Sequence, residues 1–313
     1  MGIRILDGGA LTTVQDGGRY GYQSMGFSIS GVMDHRSFQI AGALLGKRET
    51  GAVLETALCG PTIRFTGDVL FTLTGADMKP KLNGWEIPMY HVLYGKSGDV
   101  LSLGFAVTGV YTYIAFAGEL DVPPVMGSAS TNLKCGIGGY EGRALRGGDE
   151  IRIRNARTTL PNMYKRYEEI RMYTETEKEI RVLAGPEADY FTEEGMRTFL
   201  ESVYTVTDAA DRMGYRLEGE AVASRNGVDI ISNGIAFGAV QIPPGGKPII
   251  MMADRQTMGG YAKIANVATV DLPELAQSRP GTKLHFKTIT IKEAQKLLRR
   301  EKAYMRRLYR ATN

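Results

Sequence analysis

The stretch AVQIPPGGKPIIMMA, Ala239 to Ala253, decides the fold class. Ala239 to Pro243 and Lys247 to Ala253 are short apolar runs separated by Pro244-Gly245-Gly246. Runs of this length punctuated by Pro and Gly predict strands joined by a turn, not a helix. The same pattern recurs at Leu70 to Thr74, Val100 to Phe105, Tyr111 to Ala117, Glu150 to Arg154, Glu179 to Ala184, Gly227 to Ser232 and Lys283 to Thr288. Helical spacing is confined to three places: Asp34 to Leu45, with Asp34 as a cap; Thr192 to Glu201; and Ile291 to Arg310. Many short strands with few helices predict barrels or sandwiches, not a doubly wound sheet.

Directly after this stretch come Asp254-Arg255-Gln256-Thr257, a Gly259-Gly260 pair, Tyr261 and Lys263. A guanidinium fork suits a carboxylate or phosphate. A carboxamide bridges the donor and acceptor atoms of an amide, and a carboxylate binds an N–H or moves a proton. The set suits a cyclic amide bearing a carboxylate, but a loop stabilised by Asp254 bonding to its own backbone uses the same residues. Near the other end, Gln15, Asp16 and Arg19 flank Gly17-Gly18 and offer the same groups; an ion pair fastening the N-terminal segment is the alternative. Ser30 and Asp34 stand at the predicted start of a helix, where N–H groups favour an anion or Asp34 simply caps. Arg212 is a further anion contact or a surface ion pair, and Glu141 and Arg143 are open in the same way.

With 313 residues, 43% hydrophobic and 23% charged, the chain has the composition of a water-soluble globular protein of about two domains. The net charge of +4 is unevenly placed: residues 292–313 hold eight Lys/Arg against two Glu, which leaves −2 over residues 1–291. A nucleic-acid surface would spread its basic residues over the folded body, so no nucleic-acid partner is expected. No apolar run approaches the roughly 20 residues of a membrane span, and Cys59 and Cys135 form no disulfide framework or zinc spacing. The expectation is a cytoplasmic protein without a membrane partner. His35, His91 and His285 have no metal-ligand spacing, so no metal is expected. Gly95-Lys96-Ser97 has Tyr90 where a phosphate-binding loop needs its first glycine, and no nucleophile elbow is present.

Three separated segments resemble one family in consistent order: Gly8 to Asp34 (GGALTTVQDGGRYGYQSMGFSISGVMD), Gly136 to Asp149 (GIGGYEGRALRGGD), and Asp211 to Ile264, with DRMGYRLEG and ADRQTMGGYAKI. The family is the biotin-dependent carboxyltransferase-like, or allophanate hydrolase subunit 2, family. The resemblance implies a mainly β chain of two tandem cyclophilin-like β-barrels. With the polar stretch Thr158 to Thr176 as boundary, the expected organisation is residues 1–160, residues 161–290 and a basic C-terminal helix, 291–313.

The resemblance further implies a part in the ATP-dependent opening of the 5-oxoproline lactam to L-glutamate, shared with a sister B subunit (KipI-like) and a separate A subunit of 5-oxoprolinase. A single chain is expected to be inactive alone, with ATP used by the complex. Asp254 and Asp16 are the candidate catalytic residues. Gln15, Arg19, Ser30, Arg212, Arg255, Gln256, Thr257, Tyr261 and Lys263 are the candidate substrate contacts. Two alternatives stay open: a non-enzymatic KipA-like regulator that binds a kinase inhibitor, and a carboxyltransferase component acting on urea or a related amide. Ala76-Asp77-Met78-Lys79-Pro80 departs from a biotinylated-lysine motif at Pro80, so covalent biotin is not expected. Ala129 stands where the family usually has an arginine, which puts the substrate in question.

Overall fold

A computed structural model describes residues 1–170 and 173–312. The chain forms two compact units, each discontinuous in sequence. The first comprises Met1–Arg19, Ser30–Thr174 and Lys302–Asn313; the second comprises Tyr20–Ile29 and Glu175–Glu301. Among the described residues no helix is long and apolar enough to cross a membrane.

The first unit is built on two antiparallel sheets. The seven-stranded one runs, in spatial order, Glu119–Leu120, Glu150–Arg154, Gly2–Asp7, Thr62–Phe65, Val100–Ser102, Lys81–Leu82 and Trp85–Glu86. The five-stranded one runs Leu11–Gln15, Val53–Ala57, Thr108–Phe116, Val69–Asp77 and Val92–Gly95. Strands of the first sheet alternate as a half-buried surface requires: Ile3 and Ile5 point inward and Arg4 outward, as do Ile151 and Ile153 against Arg152. Facing side chains from both sheets make one core, in which Phe65 meets Phe71 at 5.1 Å and Phe116 at 6.4 Å between ring centroids.

Gly8 and Gly9 carry the chain from the first sheet to the second. A Cβ on Gly8 would lie 2.1 Å from the Leu145 carbonyl oxygen; on Gly9, which has φ +66°, it would lie 2.4 Å from that of Cys59. Only glycine fits there.

Helix α1 (His35–Leu44) covers the other face of the five-stranded sheet, which is why Thr72, Thr74 and Thr112 are buried. Asp34 caps it from a fully buried position, accepting from Ser37 N at 2.9 Å, Ser37 Oγ at 2.7 Å and the Tyr173 hydroxyl at 2.9 Å. The Asp34 backbone N–H donates to the Tyr113 hydroxyl (2.7 Å), which donates to Glu55 (2.8 Å), and Glu55 also receives Met33 N (2.8 Å). Burial, then the charges of Glu55 and Asp34, push the Tyr113 phenol well above its ordinary value. At the other end, the α1 carbonyl of Leu44 takes Arg166 (2.6 Å) and that of Leu45 takes Arg157 (2.9 Å), cations placed where the helix dipole favours them.

The second unit is a closed barrel in the order Glu177–Ala184, Lys263–Val267, Ala239–Gln241, Ile249–Met251, Gly214–Glu218, Tyr204–Val206 and Lys283–Thr288. Closure leaves no open edge. It is completed by parallel pairing of Glu177–Val182 with Lys283–Thr288, whereas the other barrel pairs are antiparallel. Helix α2 (Glu193–Glu201), capped by Thr192, lays Phe199 on Phe286 with centroids 4.5 Å apart. Two further helices are the short α3 (Leu272–Ala276) and the basic α4 (Ile291–Thr312), of which the residues from Lys302 onward belong to the first unit.

The mainly β class, the three expected helices and the strands Glu150–Arg154 and Lys283–Thr288 agree with the sequence reading. Gly227 to Ser232 does not: Gly227 turns the chain at φ +90°, Ile231 is 94% exposed, and pairing begins only at Asn233–Gly234, opposite Met258–Gly259. Val228 is buried and its carbonyl accepts from Ala262 N at 2.8 Å, but the segment joins no strand ladder among the described residues. The predicted strand Lys247 to Ala253 shortens to Ile249–Met251, because Pro248 lacks an N–H for the ladder.

Replacing Gly9 by Ala should destabilise the protein by at least about 1–2 kcal/mol, the cost of a left-handed L-residue before any clash. Gly17→Ala, whose new Cβ meets nothing within 4 Å, should cost less than about 1 kcal/mol. Urea unfolding midpoints of the two variants check the contrast.

Candidate functional site

In the first unit the sequence-predicted residues gather around the loop from Val125 to Asn132. Gln15 ends the strand Leu11–Gln15 and Asp16 begins the following turn. The Asp16 carboxylate accepts from Gly18 N (2.9 Å), Ser128 Oγ (2.7 Å), Ala129 N (2.7 Å) and Ser130 Oγ. Arg19 is fully buried, donating through Nε to the Val125 carbonyl (2.9 Å) and through Nη2 to that of Ser130 (2.8 Å). Both side chains therefore grip the 125–130 loop. Ala129 contributes its backbone N–H to that grip and packs its methyl on the core. Gly138 lets the next loop close over it, since a Cβ there would sit 2.1 Å from the Ser130 carbonyl oxygen.

Ser30, with φ +56°, is buried and accepts from Asn132 Nδ2 at 3.1 Å. Asp34 occupies the helix start itself, so the anion position considered there is filled by the protein's own carboxylate. Arg143 makes a fork on Asp149 (2.7 and 2.8 Å) and pairs with Glu141, an arrangement internal to its loop. That fork, with the Arg146 N–H, outweighs burial and holds the Asp149 carboxyl below the usual range.

Gln15 differs from its neighbours. Its Nε2 is used twice, on Thr13 Oγ1 (3.0 Å) and the Thr131 carbonyl (3.1 Å), yet its Oε1 is buried and accepts no hydrogen bond among the described residues. An unmatched buried acceptor costs about 1–3 kcal/mol.

In the second unit the strand Ile249–Met251 delivers Asp254 to Arg212, which grips it with Nε at 2.8 Å and Nη2 at 3.1 Å; the Asp254 N–H returns to the Arg212 carbonyl at 2.7 Å. Arg255 turns inward. Its Nε donates to the Ile235 carbonyl (2.9 Å) and its Nη1 to that of Met252 (3.2 Å), and its guanidinium lies 5.5 Å from the Phe237 ring centroid. Burial lowers this guanidinium to about 10, against the opposing pull of Tyr20 and Asp254. Thr257 offers its carbonyl to Ile235 N (3.0 Å).

Lys263 is also turned inward. It pairs with Glu187 at 3.2 Å and donates to Asn233, while Asn233 Nδ2 donates to Glu187 at 2.8 Å. Burial works to raise the Glu187 carboxyl, but the Asn233 and Lys263 hydrogen bonds outweigh it and hold the carboxyl low.

Gln256 and Tyr261 have a different setting. They line a cavity of about 360 Å³ in the second unit, together with Asp211, Arg216 and Gln241. Its mouth and walls thus carry two carboxamides, a phenol, a guanidinium and a carboxylate, a set able to hold a small amide-bearing acid. Gln241 Nε2 faces the Gly260 carbonyl at 3.4 Å, and Asp211 accepts from Met213 N (2.8 Å) and Gly214 N (3.0 Å). Sequence reasoning missed Glu187, Asn233, Arg216 and Gln241. Inward-facing Gln241 on the apolar strand Ala239–Gln241 was the available signal, since a buried carboxamide needs a reason.

The sequence fits the family described as carboxyltransferase domain, subdomain A and B, over residues 25–288, and the chain belongs to that family. Among curated relatives, the C subunit of 5-oxoprolinase from Escherichia coli K12 is 36% identical over 312 residues, which is 98% of this chain and 97% of that protein. Its Haemophilus influenzae counterpart is 35% identical, covering 98% of both. Among solved structures, the urea amidolyase of Kluyveromyces lactis superposes with a TM-score of 0.91 at 28% identity, covering 98% of this chain and 20% of that one.

Because the folded-state pKa of Glu187 is depressed, the unfolded chain binds the extra proton as pH falls. The stabilisation is present in full above the unfolded carboxyl value of about 4.3 and is lost as pH drops through the lower folded value. The stability gap between the native protein and Glu187→Gln should therefore be wide at neutral pH and narrow at about pH 3, as read from urea unfolding at both.

Proposed function

We propose that this chain acts as the C subunit of a 5-oxoprolinase, contributing to the opening of the 5-oxoproline ring to L-glutamate in a complex with the A and B subunits. The end-to-end match to the E. coli protein, 98% of one chain against 97% of the other, carries this reading. The cavity chemistry supports it. Arg216 suits the carboxylate of the substrate, and Gln241 and Gln256 suit the two faces of a lactam amide.

A lactam carbonyl is a poor electrophile because the nitrogen lone pair is delocalised into it. In the proposed reaction the γ-phosphoryl group of ATP passes to the oxygen on the amide carbon, and ADP leaves. Water adds to the same carbon, and the C–N bond breaks as a proton reaches nitrogen. A second water then releases phosphate from the resulting acyl phosphate, leaving glutamate. Asp254, oriented by the Arg212 fork, is the proposed proton carrier on this chain. Gln15 is a proposed acceptor for a ligand N–H through its unmatched Oε1. Asp16, Arg19, Ser30, Arg255 and Lys263 are assigned the positioning of loops.

The K. lactis likeness supports a second reading, a carboxyltransferase component acting on urea, which is also a small amide. It is the weaker of the two, at 28% identity over 20% of that chain.

Reconstitution with the A and B subunits tests the first reading. Gln256→Ala and Tyr261→Phe should each reduce kcat/KM for 5-oxoproline by about ten-fold, the worth of one hydrogen bond, with assembly by gel filtration unchanged. Full turnover by the isolated chain would refute the division of labour, and ATP-dependent carboxylation of urea with a biotinylated partner would favour the second reading.

A further inference from the structure

A larger cavity lies in the first unit and includes Gly17, the neighbour of Asp16, in its lining. It is a groove of about 740 Å³ between the exposed side of α1 and the last turns of α4. Arg48, Lys302, Arg306 and Arg310 line it against the single acid Glu49, and Lys47 lines it too, with its ammonium held on the Gly118 carbonyl at 2.6 Å. Phe38, Met305 and Tyr309 give it an apolar floor.

Three features set these charges apart from an ordinary solvated helix face. Lys302, Arg306 and Arg310 recur every four residues, so they stack on one side of α4 over about 12 Å. Like charges at that spacing weaken a helix by about 0.2–0.5 kcal/mol per pair unless an anion lies between them. Next, Arg48, Lys302, Arg306 and Arg310 make no ion pair among the described residues, although α4 contains Glu293 and Glu301. Last, Arg48 at the end of α1 is surplus to its dipole, because Arg166 and Arg157 already serve the Leu44 and Leu45 carbonyls.

We propose that this groove is a binding site for a small phosphorylated molecule, its phosphates lying between the α4 ladder and Arg48 and its carbon skeleton on the Phe38, Met305 and Tyr309 floor. Guanidinium forks match phosphate oxygens two at a time. The volume falls in the range of about 300–1,000 Å³ that small-molecule sites occupy. An acidic protein segment would be met equally well by the exposed cations Lys292, Lys296, Arg299 and Arg300 earlier in the helix. The concentration of charge inside a concavity favours a compact ligand. The proposal does not depend on the lactam chemistry of the second unit.

Calorimetric titration of the full chain with inorganic triphosphate provides the test. The expected result is one site per chain, weakened at least about ten-fold by the exposed pair Arg306→Glu/Arg310→Glu, which removes two phosphate contacts, and unchanged by the charge-matched pair Lys296→Glu/Arg299→Glu on the same helix. Matching far-ultraviolet circular dichroism and melting of both variants establishes that the helix survives. Equal loss in the two variants, no binding at millimolar triphosphate, or tighter binding of a poly-glutamate decapeptide than of triphosphate would each overturn the proposal, the last in favour of an acidic protein partner.

Discussion

Two carboxylates, Asp34 and Glu55, lie in the interior of the first unit, and the unit can close only because each is fully met by donors. A buried charge left without partners costs several kcal/mol, so Tyr113, Tyr173 and Ser37 are held to their places as firmly as any core side chain. The network joins α1 to the five-stranded sheet and sets the path of Ser30 to Met33. Through that path it also positions Gly31, whose α-carbon region packs against Gly18 in the loop that follows Asp16. Helix, sheet and candidate loop therefore share one set of hydrogen bonds.

The same economy operates in both units. Side chains that look like ligand contacts are mostly consumed by the protein itself: Asp16 and Arg19 hold the 125–130 loop, Arg255 holds two carbonyls, and Lys263 is enclosed by Glu187 and Asn233. What they leave to line the cavity of the second unit is a smaller and more neutral set, dominated by Gln241, Gln256 and Tyr261 with Arg216 and Asp211 beside them.

The division between what the sequence showed and what it hid follows from this. Short runs bounded by turn residues marked Glu150–Arg154 and Lys283–Thr288, and the Asp34 cap marked its helix. Leu11–Gln15 was hidden because its interior positions include two threonines. The Thr12 hydroxyl meets Gly8 and Thr56, and that of Thr13 meets Gln15, so these polar groups are satisfied only once the sheets have formed. The polar motifs lie in loops, and a charged residue in a glycine-rich turn gives no sign of whether it faces a ligand or its own chain. That choice depends on partners such as Arg212, 42 positions from Asp254, which local pattern does not reveal.

The barrel of the second unit is sealed by its first and last strands, which lie side by side and point the same way. During synthesis the strand near residue 177 leaves the ribosome long before its partner near residue 283. Until then it presents an unpaired flank, as does Tyr204–Val206, which also waits for that final strand. A nascent chain halted short of this point would carry two open seams, and chaperone contact would fall on those seams rather than on the first unit's sheets.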